Sequence, residues 1–414
     1  MLERRLQRAG AVLIQGPKWC GKTTTAEQHA RSTLYLDDAD KMRQNLELAA
    51  LSPSKLLIGE SPRLIDEWQL APQLWDAVRF EADHRNGTGH FILTGSAVPA
   101  DRSQIHHSGI GRFSWLTMRT MSLYESGDSN GEISVQSLFS EEAGQIFSTN
   151  PLSIDDIAWL ICRGGWPGAL GLDRDLALEQ AADYFEGLVN SDISRVDGIS
   201  RSAGRVRRIL RSLARNQASA ISVSTISADI ATNDNVIDTR ETLSSYLNAL
   251  EKIFVIENSP AWNPNLRSKT AIRTSDTRYF SDPSICTAAL GLGFNDLIND
   301  VHTMGLFFET LCVRDLRIYA DSLNGNVYHY RDKLGLECDA VIHLRDGRYG
   351  LVEIKLGGDA NIENAAINLR TLSEKIDTEK MKQPSFLMVL TGTSPYAYRR
   401  ADGVYVVPIG CLKD

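Results

Sequence analysis

The chain has no apolar run approaching the ~20 residues that a membrane-spanning helix needs. It also lacks a signal-peptide core. Met1 to Gly10 is charged, and only the short stretch Ala11 to Gln15 follows before a glycine. Its six cysteines, Cys20, Cys162, Cys286, Cys312, Cys338 and Cys411, are scattered, which excludes a CxxC redox pair and a compact zinc knuckle. They read as reduced thiols of a cytoplasmic protein with no membrane partner. Positive charge is not in excess either: 44 Lys and Arg stand against 52 Asp and Glu, a formal net charge of −8. Any contact with nucleic acid must therefore be local. No internal repeat or low-complexity tract breaks the chain.

What is present is ordinary globular material, 43% hydrophobic and 23% charged over 414 residues. That length exceeds one core, so two or three domains are expected. The apolar run Ala11–Gln15 reads as a buried parallel strand, with further strands at 34–36, 64–65, 91–93 and 113–118 and helical patterns between them. Strand–helix alternation predicts a parallel α/β sheet over residues 1–150. The Ser-, Gly- and Asn-rich stretch 125–150 reads as an exposed insertion or linker. Residues 151–200 read as a helical lid. Residues 201–298 show helix, helix, a strand at 253–256 and a turn at Asn263–Pro264, which fits either a winged helix or a helical lid with a connector. From 299 to 414 a helix, three strands, a helix and two strands predict a separate α/β domain.

Gly16-Pro17-Lys18-Trp19-Cys20-Gly21-Lys22-Thr23 fits the phosphate-binding loop GxxxxGK[ST] without mismatch, after a strand and before a helix starting near Thr24. Glycines let backbone amides curl around phosphate oxygens, and the helix N-terminus favours the same anion. Lys22 places a cation against the β- and γ-phosphates, and Thr23 offers a hydroxyl to Mg²⁺. Leu64-Ile65-Asp66-Glu67 then supplies an acidic pair at a strand end. Asp66 is placed to hold Mg²⁺ and Glu67 to orient or deprotonate the attacking water. Thr94 and Ser96 end the next strand, either as γ-phosphate sensors or with Ser96 as a helix cap. Arg112 precedes the fifth strand, where it is either an arginine finger acting in trans within a homo-oligomer or a surface arginine. The expected ligands are ATP and Mg²⁺.

The tracts GPKWCGKTT, LIDEWQ, HFILTGSA and GIGRFSWLTMRTMSLYE, with LRSKTAIRTSDTRYFSDPSI and FFETLCVRDLRIYA further on, resemble a widespread group of prokaryotic AAA-type P-loop ATPases. The resemblance spans nearly the whole chain. It implies an AAA+-like core and a C-terminal domain of unknown function similar to restriction-endonuclease folds. Trp19 and Cys20 stand where P-loops commonly carry small residues.

Glu309, Asp339, Glu353 and Lys355 form a second constellation. Glu353 and Lys355 share a strand face by period-2 alternation, and thirteen residues separate Asp339 from Glu353, enough for a hairpin. Glu309 on the preceding helix offers a third carboxylate. The pattern resembles the PD-(D/E)xK nuclease core, with Cys338 where proline often sits. It predicts Glu309, Asp339 and Glu353 as Mg²⁺ or Mn²⁺ ligands and Glu353 and Lys355 as catalytic groups. The alternatives are an ion pair on a solvated sheet face and a nuclease-like fold without chemistry. Finally, Arg195, Arg201, Arg205, Arg207, Arg208, Arg211 and Arg215 crowd one stretch against Asp197. This is either a phosphate-contacting face, DNA before RNA, or a solvated helix, or the source of a sensor arginine for the ATPase itself, with Gly204 expected to interrupt the helix.

Overall fold

The computed structural model describes residues 1–96, 109–140, 144–195, 198–231, 240–264, 275–379 and 381–414. Ala97, Asp197, residues 265–274 and the side chain of Arg195 lie outside the described residues. The chain forms two compact units. The first comprises Met1–Thr120, Gly187–Ala203 and Ser245–Val255; the second comprises Met121–Glu186, Gly204–Ser244 and Ile256–Asp414.

The first unit is built on β1 (Ala11–Gln15), β2 (Ser32–Tyr35), β3 (Arg63–Asp66), β4 (Phe91–Gly95) and β5 (Phe113–Thr117). All pair in parallel in the order β2-β3-β4-β1-β5. The central strands β1 and β4 are covered on both faces, so they are apolar nearly throughout rather than alternating, whereas the edge strands β2 and β5 leave Tyr35 and Trp115 exposed. Ala11, Leu13, Ile65 and Leu93 face Trp75 and Val78 of the helix Leu74–His84. Val12, Ile14, Leu64 and Ile92 face Leu2, Leu6 and Ala26. Each such aliphatic side chain contributes roughly 1.5–3 kcal/mol by leaving water. Because the strands are parallel and Gln15 lies beside Gly95, their C-terminal ends share one edge, the usual ligand side of an open α/β sheet.

The second unit continues with β6 (Ile133–Ser134) and β7 (Ser148–Thr149), then β8 (Ile256–Ser259) and β9 (Thr277–Phe280). They are followed by β10 (Gly325–Arg331), β11 (Glu337–Leu344), β12 (Tyr349–Lys355), β13 (Phe386–Thr391), β14 (Tyr396–Arg399), β15 (Tyr405–Pro408) and β16 (Leu412–Lys413). Seven of these form one sheet, ordered β10-β11-β12-β13-β15-β14-β7. The 22-residue helix Val301–Ser322 precedes β10, and the helix Asp359–Glu374 links β12 to the parallel strand β13.

Residues 125–150 do not form the exposed linker that their composition predicts. Ile133 pairs with Leu412, Ser148 with Ala397, and Val135, Leu138 and Phe139 are buried. The N-terminal segment of the first compact unit runs to Thr120, and residues 125–150 belong to the second. A buried polar network secures this arrangement. Arg314 bonds Asp282 at 3.1 Å and Asp315 at 2.8 Å, while those carboxylates accept from the backbone of Gly165 and Leu123. The strand expected at 253–256 begins only at Ile256, because Phe254 adopts the left-handed region at φ 60°. Gly204 does not interrupt its helix, which runs Ala203–Arg215. Among the described residues no helix is long and apolar enough to cross a membrane.

Candidate functional site

The loop after β1 is shaped by its glycines. A Cβ on Gly16 would run into the Met118 carbonyl, and Gly21 takes the left-handed region at φ 93° where it caps the helix Lys22–Glu27. Cys20 is fully buried beside the Met118 carbonyl, 3.8 Å away, and burial pushes its thiol pKa up, so it packs as an apolar group. Trp19 instead points outward, with φ 64° and 55% exposure. Pro17 contributes its carbonyl to the buried Lys22 ammonium, 2.7 Å away. Lys18 reaches Asp192 of the same unit at 2.5 Å. Thr24 lies in the first turn of the helix.

Asp66 ends β3, next to these groups. Its Oδ1 accepts from the Thr23 hydroxyl at 2.8 Å and from the fully buried Thr94 hydroxyl. Both donors are neutral hydroxyls. Glu67 follows in the left-handed region, φ 54°, and accepts from the Gln69 amide and from Ser96 at 3.4 Å. Burial raises the Glu67 carboxyl pKa, and the Gln69 hydrogen bond opposes that shift. Ser96 therefore serves Glu67 rather than standing alone. Hard oxygens on Thr23 and Asp66 suit Mg²⁺, which commonly keeps several waters and takes phosphate oxygens alongside one or two carboxylates.

Arg112 is not among these groups. Its carbonyl accepts from Ala11 at the start of β1, and its guanidinium pairs with Asp83 at 2.5 Å. That is the opposite end of β1 from the loop, about 16 Å away at ~3.3 Å per residue. The pairing holds the Asp83 carboxyl pKa below its usual range.

In the second unit, β11 and β12 pair antiparallel with Ala340 beside Val352, which brings Asp339 next to Glu353. The Lys355 ammonium lies 3.1 Å from Asp339 and 2.7 Å from Glu353, and the Ile354 amide donates to Asp339 at 2.7 Å. Glu309 accepts from the Tyr279 hydroxyl at 2.7 Å. Burial pushes the Glu353 carboxyl pKa up to about 8, helped by Asp339, because one ammonium serves two carboxylates. Burial, followed by Asp339, likewise raises Glu309. Burial acts to discharge Lys355, but Asp339 and Glu353 outweigh it and hold its pKa above the ordinary value. Asp339, Glu353 and Lys355 all act electrostatically on Glu309, and among the described residues no three His, Cys, Asp or Glu are grouped to hold a metal ion. The Lys355 ammonium bridges Asp339 and Glu353.

The arginine stretch is also divided. Arg201 is buried, donating to the Ile193 carbonyl at 3.0 Å and to Ser245 at 3.2 Å. Arg207 pairs with Glu186. Arg208, Arg211 and Arg215 are exposed on one helix, with Arg215 3.8 Å from Asp229. Sequence reasoning missed Asp192, Gln69 and Tyr279. Only Gln69, two residues from Glu67, carries a local signal.

Comparison with known proteins adds three matches. Residues 8–127 match an AAA domain, 154–296 a domain of unknown function (DUF8612), and 304–412 another domain of unknown function (DUF4143). Two relatives, the uncharacterized proteins Mb2031c of Mycobacterium bovis and Rv2008c of Mycobacterium tuberculosis, are each 26% identical over 361 residues. The alignment covers 86% of this chain and 72% of the relative. The AAA match supports an AAA-type P-loop ATPase domain in the N-terminal part, with the nucleotide binding that implies. None of these matches assigns a nuclease, a nucleic acid or a metal.

Proposed function

We propose that this chain is an ATP-driven switch that acts on nucleic acid, DNA in preference to RNA. The carrying observation is the convergence of the Thr23 and Thr94 hydroxyls on Asp66 beside the loop that holds Lys22. In this reading Lys22 balances charge on the β- and γ-phosphates, and Glu67 orients and deprotonates the attacking water. Thr23 and Asp66 hold Mg²⁺, which supplies charge neutralisation at the phosphates.

For nucleic acid, support comes from the exposed Arg208, Arg211 and Arg215 on the helix Ala203–Arg215. The succession of that helix, Val223–Ile230, Arg240–Lys252 and the β8–β9 pair is the order of a winged helix. Helix, three antiparallel strands, helix and parallel strand over 301–391 fit a nuclease-like core.

A second reading makes the nuclease-like domain a non-catalytic gripping or adaptor module. The position of Lys355 between Asp339 and Glu353 favours it over cleavage. The test is phosphate release from ATP with and without DNA, alongside cleavage of plasmid and single-stranded DNA across Mg²⁺ and Mn²⁺. DNA-stimulated hydrolysis supports the switch. Metal-dependent cutting lost in Glu353→Ala and Lys355→Ala restores the nuclease. Hydrolysis indifferent to DNA, with no cutting, leaves a protein-directed adaptor.

A further inference from the structure

Gln69 is a polar group beside the acidic pair whose role is not accounted for by the loop motif. It sits in the short 3₁₀ turn Trp68–Leu70 that follows Glu67. Its amide nitrogen donates to Glu67 Oε2. A carboxylate can only accept, so this bond fixes which end of the amide is which. The other end, Oε1, is then a buried acceptor with no hydrogen-bond partner. A buried acceptor without a donor is unfavourable, so one left this way calls for a donor such as a water.

The surroundings show where that acceptor points. A Cβ on Gly95 would lie 2.7 Å from Gln69 Oε1. Gly95 is therefore the gap that admits the amide to the end of β4. Its two neighbours serve the acidic pair directly, Thr94 through Asp66 and Ser96 through Glu67. The orphan acceptor thus lies among the groups that handle the phosphate end of the site.

We infer that Gln69 positions the attacking water for ATP hydrolysis, accepting one of its hydrogen bonds through Oε1 while its amide nitrogen orients Glu67. This rests on the ATPase reading and adds a residue to it. In the step concerned, the water oxygen forms a bond to the γ-phosphorus. The bond from that phosphorus to the bridging oxygen breaks, and its electron pair leaves on ADP. One water proton passes to Glu67 and the other stays on the new inorganic phosphate. A water held by two acceptors presents a lone pair to phosphorus, whereas a water held by Glu67 alone can rotate. Gln69 is a positioning residue in this scheme: Glu67 takes the proton. A misplacement of about 1 Å can cost on the order of 10²-fold in rate.

The experiment compares full-length wild type with Gln69→Leu, Gln69→His and Gly95→Ala. It measures kcat and KM for ATP hydrolysis, Kd for a non-hydrolysable ATP analogue, and the thermal midpoint. Gln69→Leu keeps the volume and loses both hydrogen bonds. It should drop kcat at least about tenfold with Kd and thermal midpoint unchanged, a split that a merely structural role would not give. Gly95→Ala should reproduce the drop by displacing the amide, and Gln69→His, which keeps a donor and an acceptor, should recover part of it. A Gln69→Leu variant with wild-type kcat overturns the inference, and so does a loss confined to Kd or to folding. Wild-type protein that releases no phosphate overturns the ATPase reading itself and this inference with it, so the two failures are distinguishable.

Discussion

The two carboxylate sites of this chain treat their negative charge in opposite ways. Asp66 is held by hydroxyls, from Thr23 and Thr94, that orient it without neutralising it. Asp339 and Glu353 are held by the Lys355 ammonium, which both orients and neutralises. A carboxylate oriented by neutral hydroxyls has oxygen lone pairs to offer an incoming cation. One already paired with a lysine gains less from a metal ion, which must displace the ammonium first. The same residue type therefore marks a ligand site in one unit and a self-satisfied cluster in the other.

The largest effects are expected where charge is left waiting for a ligand. Lys22→Ala should abolish ATP hydrolysis and weaken ATP binding, because the loop loses its buried cation. Phosphate release at the wild-type rate would sink the P-loop assignment. Glu67→Gln should keep binding but lower kcat by roughly 10²–10⁴, the usual contribution of a general base. Retained turnover in that variant would shift the base role to another group.

How much of this contrast was legible in the sequence depends on whether a feature is local. The phosphate loop is contiguous, and the central strands β1 and β4 of the first sheet are buried on both faces, so they appear as uninterrupted apolar runs such as Ala11–Ile14 and Phe91–Leu93. Residues 125–150 misled because Ser, Asn and Gly are also the composition of a loop. Here their polar groups are used against the C-terminus: Ser129 donates to the Leu412 carbonyl at 2.8 Å, and the Asn130 backbone amide donates to the Gly410 carbonyl. The approach of Lys355 to both carboxylates is likewise tertiary. Alternation puts Glu353 and Lys355 on one face, but it does not say that the ammonium lies within 3.1 Å of Asp339 as well. Lys18 and Asp192, far apart in sequence, had no local signal at all.

The second unit should respond more to losing its internal cation than to gaining an external one. Lys355→Met removes the ammonium and leaves Asp339 and the buried Glu353 to repel each other. Full burial would make that loss about 3–5 kcal/mol. Lys355 is 32% exposed, so screening reduces the expected loss to roughly 1–3 kcal/mol. Urea unfolding monitored by fluorescence measures it. Adding Mn²⁺ should raise the thermal midpoint of Lys355→Met more than that of the wild type, because the variant has carboxylates to offer. An equal Mn²⁺ response would mean that the lysine does not stand in for a cation, and the contrast between the sites would fail.

A change spread over a pH range, rather than a loss at one pH, is expected from the same cluster. The Glu353 carboxyl is shifted from 4.5 up to about 8 by burial and by Asp339. A folded-state pKa raised in this way contributes stability that is fully present below the ordinary value and is lost as pH rises through the folded value. The window is therefore pH 4.5 to about 8, with a slope of at most about 1.4 kcal/mol per pH unit. Glu353→Gln cannot ionise, so its unfolding free energy should fall less across this window than that of the wild type. Parallel curves for the two proteins would assign the upward shift to another group of the cluster.

The smallest effect in an isolated chain is expected at Arg112. This residue lies at the N-terminal end of β5, across the sheet from the phosphate loop, and its guanidinium is engaged by Asp83. Within one chain it has no path to the γ-phosphate, so Arg112→Ala should leave the activity of dilute protein unchanged. Only a second copy could present it to a nucleotide. If it acts in trans, specific activity of the wild type should rise with protein concentration and Arg112→Ala should flatten that rise while retaining ATP binding. Sedimentation on the same samples separates loss of assembly from loss of the guanidinium's charge. Concentration-independent activity in the wild type rules out the trans role and leaves Arg112 as a surface partner of Asp83. The first unit would then carry, in its own chain, every charged group its chemistry uses.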